Sequence, residues 1–143
     1  SPDNVFYDNV KIPEMTIDKR CYTYNTGTML QSAALLYTIT RNEKYLREAQ
    51  QWAAGSLAYF FKEGRFPRNY WFNAVLLRGY EELYKVDGNK TYINAFFTDT
   101  DKIFQSEVDG QYLVGRRPVK ALIDQAGLLE ITARLAWLRK QGF

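Results

Sequence analysis

The sequence predicts an all-α chain in which helices that are apolar on nearly every side alternate with amphipathic helices. Five segments have helical hydrophobic periodicity, and their expected burial alternates along the chain. A repeat also relates LYTITRNEKYL at 36–46 to LYKVDGNKTYI at 83–93, with a period of 83 − 36 = 47 residues. Two helices per unit with alternating burial indicate an α/α toroid, in which outer helices surround a ring of inner ones. A closed ring of six such hairpins needs roughly 280 residues. The 143 residues therefore correspond to about half of an (α/α)6 barrel.

The five helices are predicted in chain order from their apolar patterns. The first, at 26–40, is apolar or small on all sides, and so is most of the fifth, at 120–140. The second, at 42–61, and the fourth, at 89–106, each have one polar and one apolar face. The third, at 70–86, becomes polar only in its second half, where the spacing predicts local ion pairs among Arg78, Glu81, Glu82 and Lys85. No segment pair is predicted to form strands. Residues 1–143 are thus read as one α/α-hairpin domain or a fragment of a larger toroid.

Composition narrows the possible functions. Net charge is only +3, from 19 basic and 16 acidic residues that are well mixed, so nucleic acid is not an expected partner. The chain has no histidine and a single cysteine, Cys21, so we expect no metal site, disulfide or redox cofactor. Its apolar runs are too short to predict a membrane span. The compartment is left open.

The connections between helices indicate where a binding site would lie. The turns at 41–43 and 87–89 are short, whereas the connections at 62–69 and 107–119 are long. All three inner helices therefore begin at the long-loop end, where binding residues tend to gather. Near its start each inner helix has a polar, uncharged residue at the equivalent place: Thr26, Asn73 and Gln125. Helix capping is the alternative role for these residues, above all for Thr26.

Aromatic and polar residues surround these three positions. Aromatic residues make up 16% of the chain, and ring faces together with amides and charged groups suit an oligosaccharide. The loops also contain Arg65, Arg116 and Arg117. The candidate substrate-binding residues are Tyr22, Tyr24, Asn25, Thr26, Gly27, Arg68, Trp71, Asn73, Asp124 and Gln125.

One motif carries a family resemblance. The run at 8–37 contains an Asp8-Asn9 pair followed by YTYNTGT at 22–28. It resembles glycoside hydrolase family 76, the endo-α-1,6-mannanase-like enzymes, in which an Asp-Asn pair precedes Tyr-Asn-x-Gly. The similarity continues through WFNAVLLRGYEELY at 71–84 and more weakly to the end.

The resemblance implies the C-terminal half of an (α/α)6 catalytic domain acting on α-mannan-type polysaccharide, in a secreted, periplasmic or cell-surface setting. It implies that Tyr24, Asn25 and Gly27 contact substrate, with Gly27 letting the backbone come close to the ligand. Thr26 stands where the family often has Gln.

Catalytic residues are not predicted in this chain. The family cleaves with two neighbouring aspartates, and the sequence has no adjacent Asp-Asp. Asp99 and Asp101 are read as surface charges on an outer helix, and Asp124 alone does not supply the two carboxylates that glycoside hydrolysis needs. The chain is therefore expected to hold a substrate-binding wall.

Two alternative functions stay open at this point: a helical-repeat protein-interaction module and a non-catalytic carbohydrate-binding domain. The expected partners are an oligosaccharide or polysaccharide, and either the missing half of the toroid or a second copy. The last expectation rests on the apolar flanks of the first and fifth helices.

Overall fold

The computed structural model describes residues 1–115 and 118–143. A two-stranded hairpin precedes five helices, which confirms the five predicted helices to within three residues at each end. The elements are β1 (Tyr7–Lys11), β2 (Thr16–Cys21), α1 (Thr23–Thr40), α2 (Glu43–Phe60), α3 (Tyr70–Asp87), α4 (Thr91–Ser106) and α5 (Leu122–Lys140). Within the described ranges, none of these helices has the length and apolarity that a bilayer crossing requires.

Local signals set several of the helix ends. Asn42 and Asn69 accept hydrogen bonds from the backbone amides of Lys44 and Phe72, and so cap the starts of α2 and α3. Gly88 ends α3 in the left-handed region, with φ of 70°. Asn42 and Gly88 lie in the short turns that connect inner to outer helices, whereas Asn69 ends a long connection.

The helices alternate between an inner and an outer layer, as the burial pattern predicts. α3 is the central inner helix, with α1 on one side and α5 on the other, while α2 and α4 cover the outer side. The Tyr80 side chain joins the layers. Its hydroxyl lies 2.9 Å from that of Ser56 in α2, and its ring lies 5.0 Å from the Tyr92 ring of α4. The chain thus forms about half of an α/α toroid.

Two glycines let the inner helices approach each other closely. A Cβ placed on Gly27 of α1 would lie 2.6 Å from Cα of Leu76, and one on Gly127 of α5 would lie 2.5 Å from the backbone nitrogen of Trp71. Both distances are shorter than any real carbon contact, so both sites exclude a larger residue. Gly27 therefore brings the backbone of α1 close to that of α3. The contact of Gly27 with a ligand, which the resemblance implies, stays a prediction.

The hairpin corrects the prediction that the chain has no strand pair. β1 and β2 are antiparallel, with Tyr7 opposite Cys21 and Val10 opposite Ile17. The apolar residues of the hairpin are largely exposed, so the segment lacks the half-buried alternation by which strands are recognised in a sequence. Asp18 is buried in the hairpin and pairs with Arg20, whose Nη2 lies 2.6 Å from the carboxylate.

The ion pairs of α3 also differ from the local pattern expected. Only Lys85 pairs within the helix, with Glu82 at 2.7 Å. The charged groups that face α5 pair across the helix interface instead: Arg78 with Glu130 and Glu81 with Arg134, each at 2.7 Å. Spacing along one helix does not reveal partners on another, which is why these contacts were missed.

Replacing Gly27 by alanine should destabilise the fold by about 1 to 3 kcal/mol, because the new methyl group would overlap the α3 backbone. A glycine-to-alanine change inside a helix ordinarily stabilises by roughly 0.5 to 1 kcal/mol, so the sign is the informative result. Urea unfolding measures the change in the free energy of unfolding and its sign. Gly110→Ala is the control, since no atom lies within 4 Å of its added Cβ. A stabilised Gly27→Ala would contradict the close approach of α1 and α3.

Candidate functional site

Four aromatic rings form a cluster where α1 and α3 begin. Tyr22 and Tyr24 stack at 6.0 Å, and both contact Phe72, at 5.6 and 4.5 Å between ring centroids. Trp71 extends the cluster at 5.2 Å from Phe72 and is 43% exposed. The cluster therefore presents an accessible indole face at the long-loop end of the inner helices.

The carboxylate of Asp8 lies beside this cluster. One of its oxygens accepts hydrogen bonds from the Tyr24 hydroxyl at 2.5 Å and from the Asn25 amide at 3.1 Å. The other accepts one from Asn9 at 2.8 Å. The bonds from Tyr24 and Asn25 hold the pKa of Asp8 below its usual value, and the same contact raises the pKa of Tyr24. Asp8 is therefore an ionised, half-buried acceptor at neutral pH.

The three equivalent polar residues anchor the segments that lead into the inner helices. Each is the fourth residue of its helix. Thr26 accepts a hydrogen bond from the backbone amide of Phe6, and Asn73 donates to the carbonyl of Pro67. Gln125 bonds both backbone groups of Val114, at 2.8 Å each. None of the three side chains caps its own helix at the N-cap position.

Asn73 and Thr26 are fully buried, whereas Gln125 is half-buried. Asn73 also accepts a hydrogen bond from Thr23 of α1 at 2.9 Å, which links two neighbouring inner helices. Because their polar atoms are already bonded within the chain, these positions contribute loop geometry to the site.

A buried ion network fixes the connection between α2 and α3. Arg65 donates to Asp99 of α4 at 2.6 Å and to Glu107 at 2.7 Å. Asp99 is 2% exposed, so its assignment to the solvent surface was wrong. Its charge partner lies 34 residues earlier in the chain, where helical periodicity gives no sign of it. Burial raises the pKa of Asp99, and the contact with Arg65 opposes that shift.

Glu107 is the centre of this network. It also accepts hydrogen bonds from Arg68 at 3.0 Å and from the Tyr70 hydroxyl at 2.5 Å. Burial by itself would raise the pKa of Glu107, but the bonds from Tyr70 and Arg65 together hold it below its usual value. Glu107 therefore stays ionised and holds the start of α3 against the connection that follows α4.

An open cavity of about 900 Å³ adjoins this network. Arg68 is half exposed on one wall, and Asp124, at the start of α5, is half-buried on another. Lys120 lines the cavity and pairs with Asp109 at 3.4 Å. Arg68 and Asp124 thus line a common cavity. Arg116 and Arg117 lie outside the described residues.

Sequence reasoning missed two contributors to the site. Phe72 is the ring that joins the tyrosines of α1 to Trp71, and the Trp71-Phe72 pair at the start of the third helix was its only signal. Asp8 entered the sequence reasoning only as part of a motif, and its contacts with Tyr24 and Asn25 depend on the hairpin that was not predicted.

The half-toroid of paired inner and outer helices, with rings and charged groups at the starts of its inner helices, defines the chain as part of an α/α-toroid protein of the glycoside hydrolase kind. A sequence model of Glycosyl hydrolase family 76 matches residues 1–99. The chain belongs to this family. No curated protein sequence matches it.

Solved structures support the same assignment. A family 76 glycoside hydrolase from a bovine strain of Bacteroides thetaiotaomicron is 29% identical, with a TM-score of 0.87 over 96% of this chain and 35% of its own. A family 76 mannosidase from the same species is also 29% identical, with a TM-score of 0.84 over 99% of this chain and 45% of its own.

An α-1,6-mannanase from Salegentibacter shares the fold, at 20% identity and a TM-score of 0.77 over 94% of this chain and 47% of its own. An inactive variant of that enzyme, in which two neighbouring aspartates are replaced, was solved with α-1,6-mannotetrose. The present chain spans about 35–47% of the length of these structures.

Replacing Asp99 by alanine should lower the free energy of unfolding by about 3 kcal/mol, because Arg65 would lose one of its two carboxylate partners in a largely buried setting. Asp101→Ala is the matched control, since Asp101 is exposed on the same helix and should change stability by less than about 0.5 kcal/mol. Urea unfolding of the two variants decides the matter. Equal stability losses would show that the Arg65 network does not hold the connection.

Proposed function

We propose that this chain is the substrate-binding wall of a family 76 glycoside hydrolase that acts on α-1,6-linked mannan. The observation that carries the proposal is the cluster of Tyr22, Tyr24, Trp71 and Phe72 beside the Asp8 carboxylate. Support for the substrate class comes from the mannan-acting relatives and from the mannotetrose complex of the Salegentibacter enzyme.

The cluster has the two kinds of surface that a pyranose ring needs. The exposed face of Trp71 offers a flat apolar contact for the C–H face of a sugar. Asp8 is held ionised, and its carboxylate can accept hydrogen bonds from sugar hydroxyls. Asn25 donates its amide N–H to Asp8 at 3.1 Å, and its amide oxygen is a further acceptor. Sugar specificity would follow from the fixed angle between the indole face and this polar pair.

The cavity at Arg68 and Asp124 is a second place for sugar along the same rim. Arg68 is anchored through Nε to Glu107, which sets the plane of its guanidinium. A planar, oriented guanidinium binds two neighbouring oxygens well, as adjacent sugar hydroxyls would require. Asp124 would accept from hydroxyls on the opposite wall. An oligosaccharide that passes from Trp71 to this cavity would contact the starts of α3 and α5.

Catalysis would come from the part of the toroid that this chain does not contain. Glycoside hydrolysis needs one carboxyl group as acid and a second as nucleophile or base, roughly 5 to 10 Å apart. Asp8 and Glu107 both have lowered pKa values and several donors, so neither is suited to protonate a leaving group at neutral pH. The aspartate pair would lie on the other half of the ring, and that half is the expected protein partner.

The chain alone should not hydrolyse α-1,6-mannan, because it lacks the adjacent aspartates. Reducing-sugar release measured on the purified chain should stay at the level of a blank. Activity that survives purification and disappears in Asp124→Asn would place the chemistry in this half after all.

Trp71→Ala should weaken binding of α-1,6-mannotriose to the chain about three- to thirty-fold, and Asn25→Ala about three- to ten-fold. These ranges correspond to one lost ring contact and one lost hydrogen bond. The dissociation constants are measurable by NMR titration.

Trp137→Ala is the matched control for this binding experiment. Trp137 is 56% exposed but lies near the end of α5, far from the starts of the inner helices. Its loss should leave affinity unchanged. If Trp71→Ala and Asn25→Ala bind the trisaccharide as tightly as the parent chain, the aromatic cluster is only packing.

A further inference from the structure

Among the three equivalent polar residues of the inner helices, Asn73 makes contacts of a different kind. Within the described residues, the side chains of Thr26 and Gln125 each bond only the connection that precedes their own helix. Asn73 bonds its preceding connection at Pro67 and also a neighbouring inner helix, through Thr23 of α1. One buried side chain thus joins two parts of the rim that are far apart in the sequence.

The Asn73 amide is oriented by its two partners. Its Nδ2 donates to the carbonyl of Pro67 at 2.6 Å, and its Oδ1 accepts from the hydroxyl of Thr23 at 2.9 Å. A carbonyl only accepts, so the contact with Pro67 takes the nitrogen end of the amide and leaves the oxygen for Thr23. Asn73 is 1% exposed and Thr23 2%, so water does not compete for either bond. The two bonds therefore form a fixed link.

The two partners of this amide are sequence neighbours of the residues that we propose to bind sugar. Thr23 lies between Tyr22 and Tyr24 of the aromatic cluster. Pro67 directly precedes Arg68, whose guanidinium lines the second sugar cavity. The amide therefore lies between the two surfaces that an oligosaccharide would contact, although its own burial keeps it from touching the sugar.

On one side, this link holds the backbone around Arg68 against α3. The carbonyl of Pro67 accepts from the backbone amide of Asn69 at 2.8 Å as well as from the Asn73 side chain. The carbonyl of Asn69 accepts from the backbone amide of Asn73 at 3.0 Å. The guanidinium of Arg68 is held separately, by Glu107. The position of Arg68 relative to α3 thus depends on both contacts.

On the other side, the link holds the start of α1. The side chain of Tyr22, at the N-cap, makes no capping bond to the described residues, and the first amides of a helix have no partners within it. The Gly27 contact sets the spacing of α1 and α3 one turn further along. The bond of Thr23 to Asn73 sets that spacing at the first turn, where both tyrosines contact Phe72.

We propose that Asn73 is a positioning residue, which holds the aromatic cluster and Arg68 at a fixed separation and so makes the chain select oligosaccharides long enough to contact both. When two contacts belong to one rigid surface, a ligand that has made the first makes the second at high effective concentration. This advantage shrinks when the two contacts move independently, because binding must then order them. The inference rests on the proposed function and adds to it the sugar length that the site prefers.

The ratio of affinities for a long and a short ligand measures this effect. α-1,6-Mannotetrose should bind the chain at least about tenfold more tightly than α-1,6-mannobiose, which is long enough for one contact only. Asn73→Ala removes both bonds and should lower this ratio at least about fivefold, while the affinity for the disaccharide changes less than about twofold. NMR titration gives the dissociation constants, and the indole N–H of Trp71 and the Nε–H of Arg68 report the two contacts separately.

Thr23→Val is the milder variant, since it keeps Asn73 and the shape of residue 23 but removes the hydroxyl that bonds the amide. It should lower the ratio at least about twofold, because one of the two bonds is lost. Thr23→Ser retains a hydroxyl and should restore the ratio of the parent chain. The Thr23 pair therefore decides the matter even if Asn73→Ala does not fold.

Ser56→Ala is the matched control. Ser56 is fully buried and bonds Tyr80, in the middle of α3, at 2.9 Å, so this variant also loses a buried hydrogen bond, but away from the rim. It should lower the melting temperature and leave the affinity ratio unchanged. Melting temperature and circular dichroism check that each variant is folded.

The possible outcomes separate this inference from the proposed function. A ratio that Asn73→Ala and Thr23→Val leave at the parent value would overturn the positioning role, and so would an equal fall in Ser56→Ala. Equal affinity of the parent chain for the two sugars would overturn the length selection. In all three cases the sugar site itself still stands. A parent chain that binds neither sugar would contradict the proposed function and this inference together.

Discussion

The close backbone approach of the three inner helices is the constraint on which the rest of the structure depends. Gly27 and Gly127 allow α1 and α5 to lie against α3 at distances that exclude even a methyl group. This spacing decides how far apart the helix starts are, and therefore which side chains at the rim touch. The contact of Tyr24 with Phe72 and the hydrogen bond of Thr23 to Asn73 both span the α1–α3 interface. A wider spacing would separate them.

Charged hydrogen bonds also hold the residues at the rim in place. The long connections bury Phe66 and Val114 in the apolar core, and carboxylates hold them in place as well. Glu107 binds two arginines and a tyrosine hydroxyl from the segment at 65–70, while Asp8 binds two residues of α1. Each carboxylate is held ionised by its donors. The connections are thus fixed by charged hydrogen bonds in addition to the apolar packing that they share with the helices.

Features that depend on neighbouring residues in the sequence were predictable, and features that depend on residues distant in the chain were not. The helices and their alternation were predictable because apolar periodicity is a local property of each segment. Asp99 was misassigned because its partner Arg65 is distant in the chain. The contact of Gly27 with α3 was not predicted because the helix that it approaches is not visible from its own sequence. The hairpin was missed because its apolar side is exposed. The equivalent positions of Thr26, Asn73 and Gln125 were predictable from the repeat, but their hydrogen-bond partners depend on the fold.

The polar residue at the fourth position of each inner helix holds the backbone of the preceding connection. The course of the connection therefore does not depend on which side chains it carries. Thr26, Asn73 and Gln125 bind backbone groups of the preceding segment, namely those of Phe6, Pro67 and Val114. Backbone groups are the same whatever side chain a residue carries. Selection can therefore exchange the exposed side chains of a connection while its backbone keeps its course, which gives the toroid a way to change its ligand without having to rebuild its frame.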